Sequence, residues 1–191
     1  MTESYQRILS PAAGFASAEI GSFLAQLDDQ NRRLAEDTRG ISPAELQWQP
    51  EPGTNTIGML LAHIAIVEGH WLSVAAQAPF ECEKVIGIGV DDDGMPIPAG
   101  GLPPATLANR DLAYFDDLLA RARAHTRSLT RRWTDAELDR RVQRTRKDGN
   151  TWTFNVRWVL YHVLEHEAGH YGQILLLRHL HRDTTPAVAR L

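Results

Sequence analysis

The sequence predicts an all-α fold, a four-helix bundle with a long connection between its second and third helices. Three observations carry that expectation. Four stretches, residues 11–39, 55–78, 105–133 and 153–182, repeat apolar residues at helical spacing. Strand-like character is nearly absent, and "EKVIGIGV" at residues 83–90 is the one short run that reads as β. The chain has 191 residues, 43% of them hydrophobic, which suits one domain over 1–191 with a core that needs no disulfide.

The first helix carries Ile20, Phe23, Leu24, Leu27 and Leu34 on one stripe, with Ser10-Pro11 as its expected start. Ser42-x-x-Glu45 in "SPAEL" has the pattern of a capping box opening a short turn. The second helix follows "PGTNTIG" and buries Ile57, Leu60, Ile64, Val67, Trp71 and Val74. Residues 79–104 then form a connection that is long for a compact domain, and loops of that length cross a bundle or serve function. Its "DDDG" fails as a calcium loop, because an EF-hand counted from Asp91 needs Gly and Glu where Pro96 and Leu102 stand. After the third helix, Thr134-x-x-Glu137 in "TDAEL" repeats the capping-box pattern before the last helix.

Composition narrows the function classes. One cysteine, Cys82, rules out an intrachain disulfide and a Cys-rich zinc site. No signal-like opening and no unbroken apolar run of about 18 residues occur, so a cytoplasmic protein with no membrane partner is expected. The net charge is −4, yet residues 121–147 hold ten of the twenty Lys and Arg residues against Asp135, Glu137 and Asp139. That stretch lacks a recognition helix or interleaved aromatics in an otherwise acidic chain, so a nucleic-acid partner is not expected.

The histidines carry the chemistry. His162, His166 and His170 recur one turn apart in the last helix. At about 100° per residue, His170 lies at the centre of the face set by Val159, Val163, Ile174 and Leu177; His166 is about 40° off and His162 about 80° off. Two imidazoles on a buried stripe are poor packing groups and good metal ligands, so His166 and His170 are the candidate pair. A bundle supplies further ligands from a facing helix. On the second helix His63 and His70 share a flank, and periodicity alone leaves both open; His125 on the third helix is the least supported. "HEAGH" also matches the H-E-x-x-H of zinc proteases. The elongated form of that motif needs His where Leu176 stands, and Asp183 is the only later acid, so a protease is not expected.

"ELQWQPEPGTNTIGMLLAHIAIVEGHW" and "WTFNVRWVLYHVLEHEAGHYGQILLLRHL" together resemble the DinB-like (DinB/YfiT-like) metal-binding four-helix bundles. The family pattern joins an L-x-W-x-P-x-P-G-x-N-[ST]-I-G loop to a helix with one ligand His. Its last helix carries H-x-x-x-H followed by x-G-Q-I. Carried over, the resemblance implies His63, His166 and His170 as a three-His site for a divalent metal, zinc or nickel, and selects His63 over His70. It further implies a metal-dependent thiol S-transferase using a low-molecular-weight thiol such as bacillithiol or mycothiol on a small-molecule substrate, or a related enzyme. A non-catalytic metal-stabilised module is the alternative. Glu167, at the edge of the inward face, is the candidate catalytic base or supporting acceptor. Trp158, Tyr161, Ala168, Gly172 and Leu176 form a second apolar face on the last helix, and with a family rich in dimers this implies a homodimer.

Overall fold

Ser17, Thr56, Asp111 and Asn155 each turn a side-chain oxygen onto the N–H three residues ahead, and at each a long helix begins. Caps of this kind contribute about 0.5–2 kcal/mol by satisfying one of the orphan donors of a helix start. The computed structural model describes residues 7–145 and 148–184. In chain order it runs α1 (Ala18–Thr38), α2 (Pro43–Gln47), α3 (Ile57–Ala76), α4 (Cys82–Val85), a single 3₁₀ turn (Ala105–Leu107), α5 (Leu112–Thr130), α6 (Asp135–Leu138), β1 (Arg141–Thr145), β2 (Thr151–Asn155) and α7 (Val156–Thr184). The all-α bundle built on four long helices is thus the fold, with one small hairpin added.

Three boundaries differ from the sequence expectation, each for a local reason. α1 starts at Ala18 because Ser17, not Ser10, supplies the cap; Gly14 at φ 86° turns the chain before it. α5 starts at Leu112 because Asn109 at φ 57° interrupts the backbone and Asp111 then caps. α7 starts at Val156 because the residues before it are in the hairpin, where Arg141 lies opposite Asn155 and Val142 opposite Phe154. The β-like run at 83–90 forms no strand: Cys82–Val85 is a helical turn, and Ile86 and Ile88 are buried as loop anchors. The true strands were hidden because only Val142 and Phe154 face the core, leaving no apolar alternation to read.

α3 packs against α5 on one side and α7 on the other, with α1 on α7 and α5. By composition α3 reaches a mean hydropathy of 1.5, long and apolar enough for a membrane span, but 72% of that window is buried inside the bundle. Leu60, Ile64, Phe115, Leu118, Ile174 and Leu177 form part of one apolar cluster, and Leu24, Leu27, Leu72, Val159 and Val163 part of the other. The two short turns after α1 and α5 divide their capping residues differently. Ser42 caps Glu45, but the Glu45 carboxylate takes Arg178 Nε at 2.9 Å and so ties α2 to α7. Thr134 gives both its N–H and its hydroxyl to Glu137.

Much of the basic stretch 121–147 is held internally. Arg121 pairs with Asp117, Arg127 with Asp28, Arg131 donates to the Gly14 carbonyl and Arg140 to the Ala75 carbonyl. Arg146 and Lys147 lie outside the described residues.

Candidate metal centre

α3 contributes His63 and α7 contributes His166 and His170, and the three rings meet between the two helices. Ring centroids lie 5.0 Å apart for His63 and His166, 5.1 Å for His63 and His170, and 4.3 Å for His166 and His170. One nitrogen from each falls within 4.8 Å of the other two, and all three residues are partly exposed.

Two further side chains fix how these rings stand. Asp93, buried in the 79–104 connection, accepts from His63 Nδ1 at 2.8 Å, and its other oxygen accepts the Met95 N–H at 3.0 Å. Gln173 Oε1 accepts from His170 Nδ1 at 2.8 Å. With Nδ1 carrying the proton, each ring keeps an Nε2 lone pair free for a metal. Such outer partners orient ligand imidazoles and raise their basicity.

The donor set fits a divalent metal. His170 Nε2 faces His166 Nε2 at 3.1 Å. Imidazole nitrogens bound at about 2.0–2.1 Å to one metal sit about 3.0–3.4 Å apart, so this is ligand spacing. Burial first, then the neighbouring His170, His63 and His162, push the His166 imidazolium down to about 3. Burial lowers His170 as well. Both rings are therefore neutral, the form that ligates.

The other histidines have other partners. His70 meets Trp71 and Phe80 edge-on, away from the trio. His162 stacks on Trp158 at 4.8 Å with the planes 7° apart. His125 is bonded to the buried Ser73 hydroxyl at 2.9 Å. His179 pairs with Asp183, and His181 meets Trp48 edge-on.

Glu167 lies between His166 and His170 in sequence but is 1% exposed and faces α1 and α5. Its carboxylate accepts from Arg123 Nη2 at 3.4 Å. With the Asn31 amide oriented to satisfy both its ends, Asn31 donates to Glu167 and accepts from Arg123. Arg123 also holds Glu68 through Nε at 2.8 Å and Asp28 through Nη1 at 2.8 Å, and Thr126 donates to Glu68 at 2.6 Å. Burial works against the Arg123 charge, but Glu68, Glu167 and Asp28 raise its pKa above the ordinary value. Burial pushes the Glu167 carboxyl up to about 8, with Arg123 opposing. The cluster pins the helix turn that carries His166 and His170 to the neighbouring helices.

The family model of the DinB superfamily matches residues 26–174. The chain belongs to the DinB superfamily. The matched span takes in all three histidines together with Asp93 and Gln173. A crystal structure of a conserved protein from Enterococcus faecalis shares the DinB-like chain's fold, with a TM-score of 0.61 at 17% identity, covering 83% of this chain and 94% of that one. No curated protein matches the sequence.

Asp93 lies outside the family motifs, and Gln173, the Gln of x-G-Q-I, carries no ligand role in them. Gln173 had a signal, since it lies three residues beyond His170 on the same helix face. Asp93 sits in "DDDG", where only a calcium loop suggested itself, and no local pattern ties it to a histidine thirty residues earlier.

Proposed function

We propose that this DinB-superfamily chain is a cytoplasmic metal-dependent enzyme acting on a small molecule, with thiol S-transfer as its reaction. The observation that carries the reading is the convergence of His63, His166 and His170, two of them held in the ligating tautomer by Asp93 and Gln173. A divalent metal, zinc or nickel, held by three neutral imidazoles supplies a Lewis acid with room for a substrate and favours the thiolate form of a thiol. Partial exposure of all three histidines favours chemistry over bracing alone, and the metal-donor group among the described residues stops at three.

The chain's own groups divide the remaining work. Asp93 and Gln173 hold the ring orientations, and the Arg123 cluster holds the backbone of α7 in place. Glu167, engaged with Arg123 and Asn31, supports the ligand helix and is a positioning residue on this reading. Cys82 is 7% exposed, and burial pushes its thiol up to about 11, so the attacking thiol comes from outside as a low-molecular-weight co-substrate.

Transfer of glutathione, bacillithiol and mycothiol to monobromobimane, with and without added zinc or nickel, tests this. The expected result is a metal-dependent rate above the uncatalysed one for at least one thiol, lost in His166→Ala. Equal rates with metal and with EDTA for every thiol would remove the thiol-transfer reading.

We further propose self-association through the outer face of α7. Tyr161 is 59% and Leu176 57% exposed, and a Cβ built at Gly172 meets nothing within 4 Å. An apolar helix face with small residues admits a second helix at close range.

A further inference from the structure

The β1–β2 hairpin packs over α3 and α7 two turns along the bundle from the histidines. Trp71 stands at the centre of that contact. Its ring meets Phe154 at 5.3 Å, Trp158 at 5.6 Å and His162 at 5.0 Å. His162 in turn lies 5.9 Å from the ligand His166. An unbroken wall of rings therefore joins the three-His centre to the hairpin.

At the far end of this wall is a pocket of about 190 Å³ lined by Trp71, Arg144, Trp152 and Phe154. Arg144 and Trp152 face each other across the hairpin. The Arg144 guanidinium lies 5.6 Å over the Trp71 ring. It is exposed and makes no ion pair among the described residues, in a stretch whose other arginines mostly have internal partners. Trp152 is 49% exposed and offers an aromatic wall to the pocket. Among the described residues no carboxylate lines the pocket. A guanidinium stacked on an indole keeps its N–H edge for a planar, bidentate acceptor.

We propose that this pocket receives the carboxylate of a small molecule with a flat apolar body, which lies along the wall of rings with its reactive end at the three-His centre. The inference rests on the reading that the centre acts on a small molecule. Trp71 follows His63 by eight residues, and His166 follows Trp158 by eight, so the ligand spans about 12 Å. The planar fork of the Arg144 guanidinium matches the planar, two-oxygen edge of a carboxylate.

Calorimetric titration of metal-free and zinc-loaded protein with 4-phenylbutyrate, its neutral amide and phenyl phosphate tests the assignment. The expected result is saturable binding of the acid in both forms, about tenfold or more tighter than the amide. Arg144→Gln, at an exposed position, should remove that preference, and Trp152→Ala should weaken the acid without removing it. Absence of acid binding, equal binding of acid and amide, or an unchanged Arg144→Gln would overturn the proposal. Tighter binding of phenyl phosphate would overturn the carboxylate assignment. Zinc titration of the same metal-free sample separates the two readings. Acid binding without zinc binding removes the metalloenzyme and keeps the pocket, and zinc binding without acid binding does the reverse.

Discussion

Asp93 carries a large share of the centre although it touches no other histidine of the trio. Its carboxylate is buried with two acceptor bonds, one from His63 and one from the Met95 N–H. Asp93→Ala frees the His63 ring and is expected to weaken zinc binding about 10- to 100-fold, read by competition with a chromophoric chelator. Arg123 is a second such residue. Its removal leaves the Glu68 carboxylate buried without its cation, and Arg123→Ala should cost about 3–5 kcal/mol in urea unfolding. Cys82 gives the pH dependence. Burial, with Asp93, Asp92 and Glu83 adding to it, raises its thiol from 9.0 to about 11. The folded state therefore keeps a proton that the unfolded state loses above about pH 9, so this contribution is full below that pH and lost as pH rises towards 11. Iodoacetamide at pH 8 should alkylate native Cys82 about a hundredfold more slowly than a free thiol. A rate matching free cysteine would return Cys82 to the list of nucleophiles.

Among the elements, the helices were legible and the hairpin was not. Apolar spacing along α1, α3, α5 and α7 reports one buried stripe each, and that survives any error in the ends. The ends themselves depend on single residues, Ser17, Asn109 and Asn155, whose competing neighbours look equally suitable in sequence. Periodicity also could not separate His63 from His70, because seven residues bring a helix back to within about 20° of the same face. The surroundings separate them: Asp93 reaches His63, whereas Phe80 covers His70. The "NTIG" entry to α3 shows what a motif glycine does. A Cβ at Gly58 would stand 2.8 Å from the buried Phe115 ring and 3.2 Å from the Leu46 carbonyl oxygen. Gly58→Ala should therefore destabilise by about 1–3 kcal/mol in urea unfolding, against the usual benefit of alanine in a helix.

For the molecule as a whole, His166 and His170 on α7 could be read from the wheel, and His63 came from the family resemblance. The buried charge cluster beneath them could not, because Asp28, Glu68, Arg123 and Glu167 sit on four different helices and share no sequence pattern. The outer face of α7 bears on assembly. Sedimentation at micromolar concentration should give a dimer, and Leu176→Glu should convert it to monomer; a monomeric parent chain would remove the self-association proposal. The central claim is the three-histidine centre, and titration of zinc and nickel into metal-free protein tests it most directly. The account predicts saturable stoichiometric binding that is lost in His63→Ala, His166→Ala and His170→Ala and kept in His70→Ala. Binding unaffected by His63→Ala, or no saturable binding of either metal, would contradict it.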